Sequence, residues 1–387
     1  MAPNNGADPK RSILLTAIAL VVLAMPTVAV AAGKENGGHG GPKVTVMTRN
    51  LFLGADLSPA IGAATIPEAI DGAGEIWNEF QSTNFPERAL PLAREIKQAK
   101  PDLVGLQEVA LWRQQTPSDG GAPPISPLPG ATPATEVVQD FLAILLQELN
   151  NVGAKYDVVV VQDEFEGELP VDVDGSDATG TGPLAVFGAD FDARLTMRDA
   201  ILVRKGTKVK LGETAQAHYE TRYEPNVGGL VIPVDRGWVS VEAGVGPFEF
   251  RFVNTHLEAF GDPTIREAQA KELIAGPLNT QEQVILVGDL NSGVARHNEP
   301  EQPGDDLAFR ALEAFGMTDN GAVQSCCYSD LFDPTQVFDH TVDHVLTKPG
   351  LETKDAFVTG NDPSERTPSG LWPSDHGGVV STLQLTK

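Results

Sequence analysis

Apolar positions along the chain fall into short runs with strand character, separated by helical stretches and by connections rich in glycine and proline. Val44-Thr45-Val46-Met47-Thr48 is dominated by β-branched residues and reads as a strand that ends at Arg49-Asn50. Leu103-Val104-Gly105-Leu106 is the next, running into Gln107-Glu108. Further strands are expected at 156–161 and 198–203, and 237–243 with 248–256 form a pair. Val284-Ile285-Leu286-Val287 is apolar at every position, as a strand buried on both faces would be, and it stops at Gly288-Asp289-Leu290-Asn291. Strands at 341–346 and 378–385 complete the set. Helices are expected from Pro86 to Ala99, with proline in the tolerated first turn, and at 136–150, 264–275 and 306–315. Residues 58–85, rich in alanine and glycine, look like an insertion. So does the acidic stretch 163–192, while the proline-rich stretch 116–135 reads as a long surface loop. Several strand pairs lack an intervening helix, so the fold class is α/β with mixed sheets rather than purely parallel ones.

The strand ends carry the chemistry. Side chains alternate along a strand, which puts Asp289 and Asn291 on one side of the C-terminal end. Such a pair suits a carboxylate that orients or deprotonates water beside an amide that donates to a developing anion; an Asx-turn closing the strand accounts for it equally well. Other strands end alike: Asn50, Glu108 and His256 follow apolar runs, Asp343 sits in Thr341-Val342-Asp343-His344-Val345, and Ser374-Asp375-His376 precedes the last strand. Glu108, Asp375 and Asn50 offer hard oxygen ligands suited to Mg²⁺ or Mn²⁺. His376 is a candidate general base whose ring Asp343 can hold. His256, Asn291 and Arg198 are candidate donors to the oxygens of a pentacovalent phosphorus.

Composition changes this picture at three points. The formal net charge is −25 over 387 residues, which disfavours indiscriminate binding of polyphosphate and favours cations. Lys10 and Arg11 precede the apolar run from Ile13 to Val30, and Ala29-Val30-Ala31 offers a small-x-small cleavage site. Residues 1–31 are therefore expected to be a signal peptide and 32–42 a flexible linker, leaving a domain at 43–387 that is secreted or held in the cell envelope, without a membrane span once the signal is cleaved. The two cysteines are neighbours, Cys326-Cys327, either small buried residues or a vicinal disulfide. With no further cysteine to complete it, a zinc site is not expected there. Asp172-Val173-Asp174-Gly175-Ser176-Asp177 is better read as a solvated acidic loop than as a calcium loop, lacking the spacing and the terminal glutamate.

The segments TRN (48–50), LVGLQEV (103–109), NTHLE (254–258), VILVGDLNS (284–292), VDHVL (342–346) and PSDHGGV (373–379) occur in that order. Together the chain from Lys43 onward resembles the endonuclease/exonuclease/phosphatase superfamily. The resemblance implies a four-layer sandwich of two mixed β-sheets packed face to face and flanked by helices, and metal-dependent hydrolysis of phosphoester bonds. By motif, Glu108 corresponds to the metal-binding glutamate with Asn50 and Asp375 as its companions. His376 with Asp343 corresponds to the histidine–aspartate pair, Asp289 with Asn291 to the pair that orients water and phosphate, and His256 to the second histidine. Asp289 and His376 are rival bases. Arg198 fits its motif only approximately, and none of Tyr156, Tyr219 and Tyr223 fits the family's tyrosine. His218, His297 and His340 match nothing and read as surface or packing residues, with His344 packing beside Asp343. Three substrate classes remain: a small phosphoester, a phospholipid head group, or nucleic acid. A monomer is expected, and a silent envelope binding protein on the same fold is the rival from another class.

Overall fold

Val284 and Leu286 point into one hydrophobic cluster, Ile285 and Val287 into another. The continuous apolar run is thus a strand with a separate core on each face, and the rest of the chain is layered around it. The computed structural model describes residues 41–121, 131–176, 180, 182–293, 304–321 and 323–386. Its strands are β1 (Lys43–Asn50), β2 (Leu103–Gln107), β3 (Leu111–Gln115), β4 (Glu136–Asp140), β5 (Tyr156–Val171), β6 (Phe191–Arg204), β7 (Lys210–His218), β8 (Asn226–Val227), β9 (Leu230–Val231), β10 (Gly237–Val245), β11 (Phe248–His256), β12 (Gln283–Asp289), β13 (Thr318–Asp319), β14 (Asp343–Thr347), β15 (Leu351–Thr359) and β16 (Gly378–Leu385). The helices are α1 (Ser58–Ile61), α2 (Ile66–Ser82), α3 (Phe85–Ala99), α4 (Phe141–Asn151), α5 (Pro263–Ala275) and α6 (Leu307–Ala314).

Two large sheets form, one in the order β15-β16-β1-β2-β6-β3-β4 with β5 also on β6, the other β13-β14-β12-β11-β10-β7. Both are mixed: β1 with β2 and β11 with β12 are parallel, and the remaining pairs are antiparallel. The inner faces meet through Val44, Val46 and Ile201 from the first sheet and Val241, Phe252 and Ile285 from the second. The outer face of the first sheet packs Met47, Val104 and Leu106 on α2, α3 and α4; that of the second packs Val284 and Leu286 on α5 and α6. This is the four-layer sandwich with mixed sheets inside.

Several sequence expectations need correction. Residues 58–85 are not a peripheral insertion, because α2 buries Ile70, Ile76, Trp77 and Phe80 in the core. Small residues let this helix sit close: a Cβ on Gly74 would lie 1.6 Å from the Asp172 carbonyl oxygen. Thr65 and Glu68 close a reciprocal capping box at its start. The helix expected at 136–150 begins only at Phe141; the preceding residues join β3 as a strand, and Asp140 caps the helix by accepting from the N–H groups of Leu142 and Ala143. The acidic stretch 163–192 is strand at both ends, since β5 runs on to Val171 and β6 starts at Phe191. Strands β7 and β15 carried no hydrophobic signal because both are edge strands with largely exposed side chains. Asp172 Oδ1 accepts from the N–H groups of Asp174 and Gly175, so it closes its own turn; Asp177 lies outside the described residues. Residues 1–31, expected to be a signal peptide, and His297 also lie outside them. Among the described helices none is long and apolar enough to cross a membrane.

The two sheets come close together at Gly105, where a Cβ would fall 2.4 Å from Asn254 Oδ1 and 2.5 Å from Val287 Cγ2. There Gln107 Nε2 donates to Asn254 Oδ1 (2.6 Å) and Asn254 Nδ2 to the Leu106 carbonyl (3.0 Å), a buried polar bridge between sheets. Gly105→Ala should therefore cost about 1–3 kcal/mol through overpacking. A thermal melt that leaves the midpoint unchanged would show that the sheets can part without cost.

Candidate active site

Strand direction gathers the polar ends on one edge of the sandwich. The parallel pairs β1/β2 and β11/β12 contribute their C-terminal ends, carrying Asn50, Glu108, His256 and Asp289. The antiparallel strands β14 and β16 contribute their beginnings, so Asp343 pairs in register with Asp289, and His376 stands just ahead of Gly378. Strand β10, antiparallel to β11, brings Arg236 to the same edge.

Asp289 is the centre. Its Oδ1 accepts the N–H of Asn291 (2.8 Å), which is the Asx-turn. Its Oδ2 accepts from Asn50 Nδ2 (3.0 Å) and faces the Nε2 atoms of His256 (3.5 Å) and His376 (3.6 Å). One carboxylate thus closes an Asx-turn with one oxygen and faces both histidines with the other. Burial pushes the Asp289 carboxyl up to about 7, against the attraction of His376. Asn291 has φ 45°, so the turn rather than strand alternation aims its side chain. Its Nδ2 donates to the Leu257 carbonyl (2.9 Å) and stands 3.1 Å from His256 Nε2.

The two histidines have opposite surroundings. His376 Nδ1 donates to Asp343 Oδ2 (2.9 Å), which also accepts from Ser325 Oγ (2.7 Å). Burial pulls the His376 pKa down, but Asp343, Asp289 and Asp375 outweigh it and hold the ring well above its ordinary value. His256 is held well below that value, by burial first and then by Arg236 and His376. Arg236 Nη1 donates to His256 Nδ1 (3.0 Å) while its Nε and Nη2 pair with Glu258 (3.3 and 3.4 Å), both residues being at most 4% exposed. A guanidinium can only donate, so Nδ1 must accept and the neutral ring carries its proton on Nε2. With Nε2 protonated, the 3.1 Å approach of the Asn291 amide nitrogen brings two donors together rather than making a hydrogen bond, and a shared acceptor such as an oxyanion is what would satisfy both.

Glu108 sits at φ 54° immediately after β2, its Oε2 accepting the N–H of Leu53 (2.7 Å) and its Oε1 accepting from Asn50 Nδ2 (3.1 Å). With Asp375, Phe52 and Tyr328 it lines a cleft of about 790 Å³. Burial raises Asp375 to about 6; His376 opposes the shift and the charge of Glu108 adds to it. Two mutually repelling carboxylates at a cleft mouth fit a hard divalent cation. Asn50 fits less directly. Its Oδ1 accepts the N–H of Phe52 (2.9 Å) and its Nδ2 faces the acids, so in this arrangement it bridges Glu108 and Asp289 as a donor.

Arg198 is the expectation that geometry corrects. Its guanidinium donates to the carbonyls of Val109 and Ala110 and to Asp140 Oδ1, bracing the turn after Glu108 rather than facing the oxyanion donors. Arg236 takes the place beside His256. It was missed because it lies outside the ordered segments that carry the other site residues. Arg88, in the middle of α3, was missed too. Fully buried and with its pKa lowered to about 9 by that burial, it donates to the carbonyls of Leu51, Phe52, Thr83 and Pro373 and so ties the segment after Asn50 to the segment before Asp375. Tyr328 lines the cleft, while Tyr219 Oη is bonded to Thr255 Oγ1 (2.7 Å) and Tyr156 Oη to the Pro101 carbonyl (2.9 Å). His344 is a packing residue, buried between Asp319 (2.8 Å) and the Ser292 carbonyl (2.9 Å). His218 is exposed on β7 and His340 is paired with Asp339.

The profile of the endonuclease/exonuclease/phosphatase family matches residues 74–376. Similar solved structures include an endonuclease/exonuclease/phosphatase family protein from Bacteroides thetaiotaomicron, at 17% identity over 90% of this chain and 99% of that one, with a TM-score of 0.49. A mannosyl-6-phosphatase of the same organism is 17% identical over 88% of this chain and 99% of that one, TM-score 0.48. An endonuclease/exonuclease/phosphatase from Beutenbergia cavernae is 19% identical over 89% and 72%, TM-score 0.47. Likenesses at this level carry no argument about substrate. No curated protein matches the chain.

Two outcomes follow from the Arg236 arrangement. Arg236→Met leaves Glu258 buried without its cation and should cost about 3–5 kcal/mol, of which a second change, Glu258→Leu, should restore a substantial part. Equal melting points for parent and single variant would deny the pairing. Nitrogen chemical shifts of His256 should report a neutral ring protonated on Nε2 at pH 6, where an unperturbed histidine is largely charged. An imidazolium signature there would contradict the assignment.

Proposed function

Because the chain belongs to the endonuclease/exonuclease/phosphatase family, we propose that it is an exported hydrolase of phosphoester bonds that depends on Mg²⁺ or Mn²⁺. The observation that carries the reading is the convergence on one edge of a buried carboxylate, two oppositely tuned histidines and an exposed-mouth acid pair. In this reading Glu108 and Asp375, with Asn50 adjoining, hold the cation, which when bound offsets charge on the phosphoryl oxygens. Asp289, aimed by Asn50 and by the Asn291 turn, accepts the proton of the attacking water. His256 Nε2–H and the Asn291 amide donate to a phosphoryl oxygen as negative charge builds on it. His376, kept protonated by Asp343 and its neighbours, donates from Nε2 to a second oxygen. This divides the labour between the rival bases: Asp289 takes the proton, and His376 holds charge. The silent-binder alternative has no support in the side chains, since each matched position keeps its reactive group.

The charge bears on substrate. A net −25 opposes duplex DNA, whose binding draws on Lys and Arg displacing condensed counterions. A small phosphoester needs no such surface, and it is the substrate class favoured here over a phospholipid head group or nucleic acid. Export rests on the basic, apolar and small-residue pattern of residues 1–31.

A hydrolysis screen over a chromogenic bis-phosphodiester, a sugar phosphate, sphingomyelin, RNA and DNA, with Mn²⁺ and with chelator, tests the reading. Turnover should require the cation and should fall by at least about a hundredfold in Asp289→Asn, whose folded state is checked by its melt. No turnover on any phosphoester would leave only a binding role. Raising NaCl at fixed Mn²⁺ should change any rate on DNA only mildly, because repulsion is being screened. A steep loss of kcat/KM with salt, together with a preference for DNA, would point to a basic groove and overturn the choice of substrate.

A further inference from the structure

His376 Nε2, the ring atom left free by Asp343, lies 3.7 Å from Cys326 Sγ and 3.9 Å from Cys327 Sγ. The three atoms lie within 4.8 Å of one another. Cys326 is buried and Cys327 is exposed, and with Asn291 both line a second cleft of about 350 Å³ that gives access from solvent. Two sulfurs and an imidazole nitrogen are the donor set of tetrahedral zinc sites with an open fourth position. With metal–sulfur near 2.3 Å and metal–nitrogen near 2.0–2.1 Å, sulfur and nitrogen on one such ion stand about 3.5 Å apart, close to the distances here, and two sulfurs about 3.8 Å apart, so the bonded pair has to part on reduction. The Asp343 carboxylate on Nδ1 is the outer partner that commonly orients a ligating histidine. Counting cysteines alone excluded this site. The fold supplies the missing ligand from 49 residues further along the chain.

We propose that the reduced Cys326–Cys327 pair and His376 Nε2 bind one soft divalent cation of the zinc type, and that this ion shuts off the hydrolytic site. The structure records the pair as a disulfide, which offers no thiolate. A dithiol reductant supplies two electrons and two protons, cleaving the sulfur–sulfur bond to two thiols and itself becoming a disulfide. Binding of the cation then releases both thiol protons, and any proton on Nε2, to solvent, and the ring gives its lone pair to the ion. His376 can no longer donate a proton from that atom. Mg²⁺ does not compete, since it prefers the oxygen ligands of Glu108 and Asp375 to thiolate. Oxidation thus leaves the enzyme open, and reduction makes it sensitive to soft metal. Inhibition rests on the hydrolase reading; binding does not.

The test is a titration of the full chain with Cd²⁺ in Mg²⁺ buffer, before and after treatment with a dithiol that is then removed, following the ultraviolet cadmium–thiolate absorption. One equivalent should bind after reduction and none before. Cys327→Ser should lose the absorption while keeping its turnover in Mg²⁺, and His376→Gln should bind at least about tenfold more weakly. His376→Asn serves as the second variant if the first melts early. One equivalent of Cd²⁺ should lower turnover of the reduced parent at least about tenfold, and spare the disulfide form and Cys327→Ser. Absorption without turnover on any phosphoester would uphold the cation site while the hydrolase reading failed. No absorption after reduction, or absorption equally tight in both His376 variants, overturns the proposal.

Discussion

Asp289, Asp199 and the half-buried Asp375 lie near one edge of the sandwich, and burial opposes the charge of each, with Asp343 buried beside them. The rest of the structure depends on how that charge is compensated. Arginines with little or no exposure supply part of it: Arg236 among Glu258, Glu108 and Asp199, Arg88 near Asp375 and Glu108, and Arg49 on Glu95 (3.2 Å). They also act as scaffolding. Arg88 gathers four carbonyls from separate segments, and Arg49 donates to the carbonyls of Asn50 and His376. The compensation is incomplete, as the raised carboxyls of Asp375 and Asp289 show. An acid surplus next to an open cleft is a standing attraction for a divalent cation.

The same compensation separates the histidines. His376 lies among carboxylates and is pushed toward the cation; His256 lies against a guanidinium and is kept neutral. Two imidazoles that face one Asp289 oxygen at nearly equal distance (3.5 and 3.6 Å) thus differ in the charge they favour. The distinction is drawn by Arg236 and Asp343, neither of which needs to touch substrate.

Much of this was legible in the sequence, for a physical reason. A strand buried on both faces admits polar residues in its interior only where they are bonded, as Asn254 is to Gln107, so the polar residues Asn50, Glu108, His256 and Asp289 cluster where the chain leaves the core. Their convergence followed from mixed sheets, and the ordered motifs carried the four-layer architecture. What stayed hidden lacked such contrast. Arg198 and Arg236 are both arginines at strands, and only the fold shows that one braces a turn while the other meets His256. Helix α2 looked peripheral because alanine and glycine give a weak apolar signal, although those small residues are what allow it to pack closely. The edge strands β7 and β15 expose most of their side chains and so carry no alternation. The cysteine–histidine grouping joins segments far apart in sequence, beyond the reach of any spacing rule.

The central claim is that Glu108 and Asp375 form the seat of a hard divalent cation beside Asp289. Crystals grown with Mn²⁺, and data collected for its anomalous signal, address it directly. The account predicts a peak within coordinating distance, about 2.0–2.3 Å, of carboxylate oxygens from both Glu108 and Asp375. Anomalous peaks only at exposed acidic surface, with none between these two side chains at saturating Mn²⁺, would contradict it.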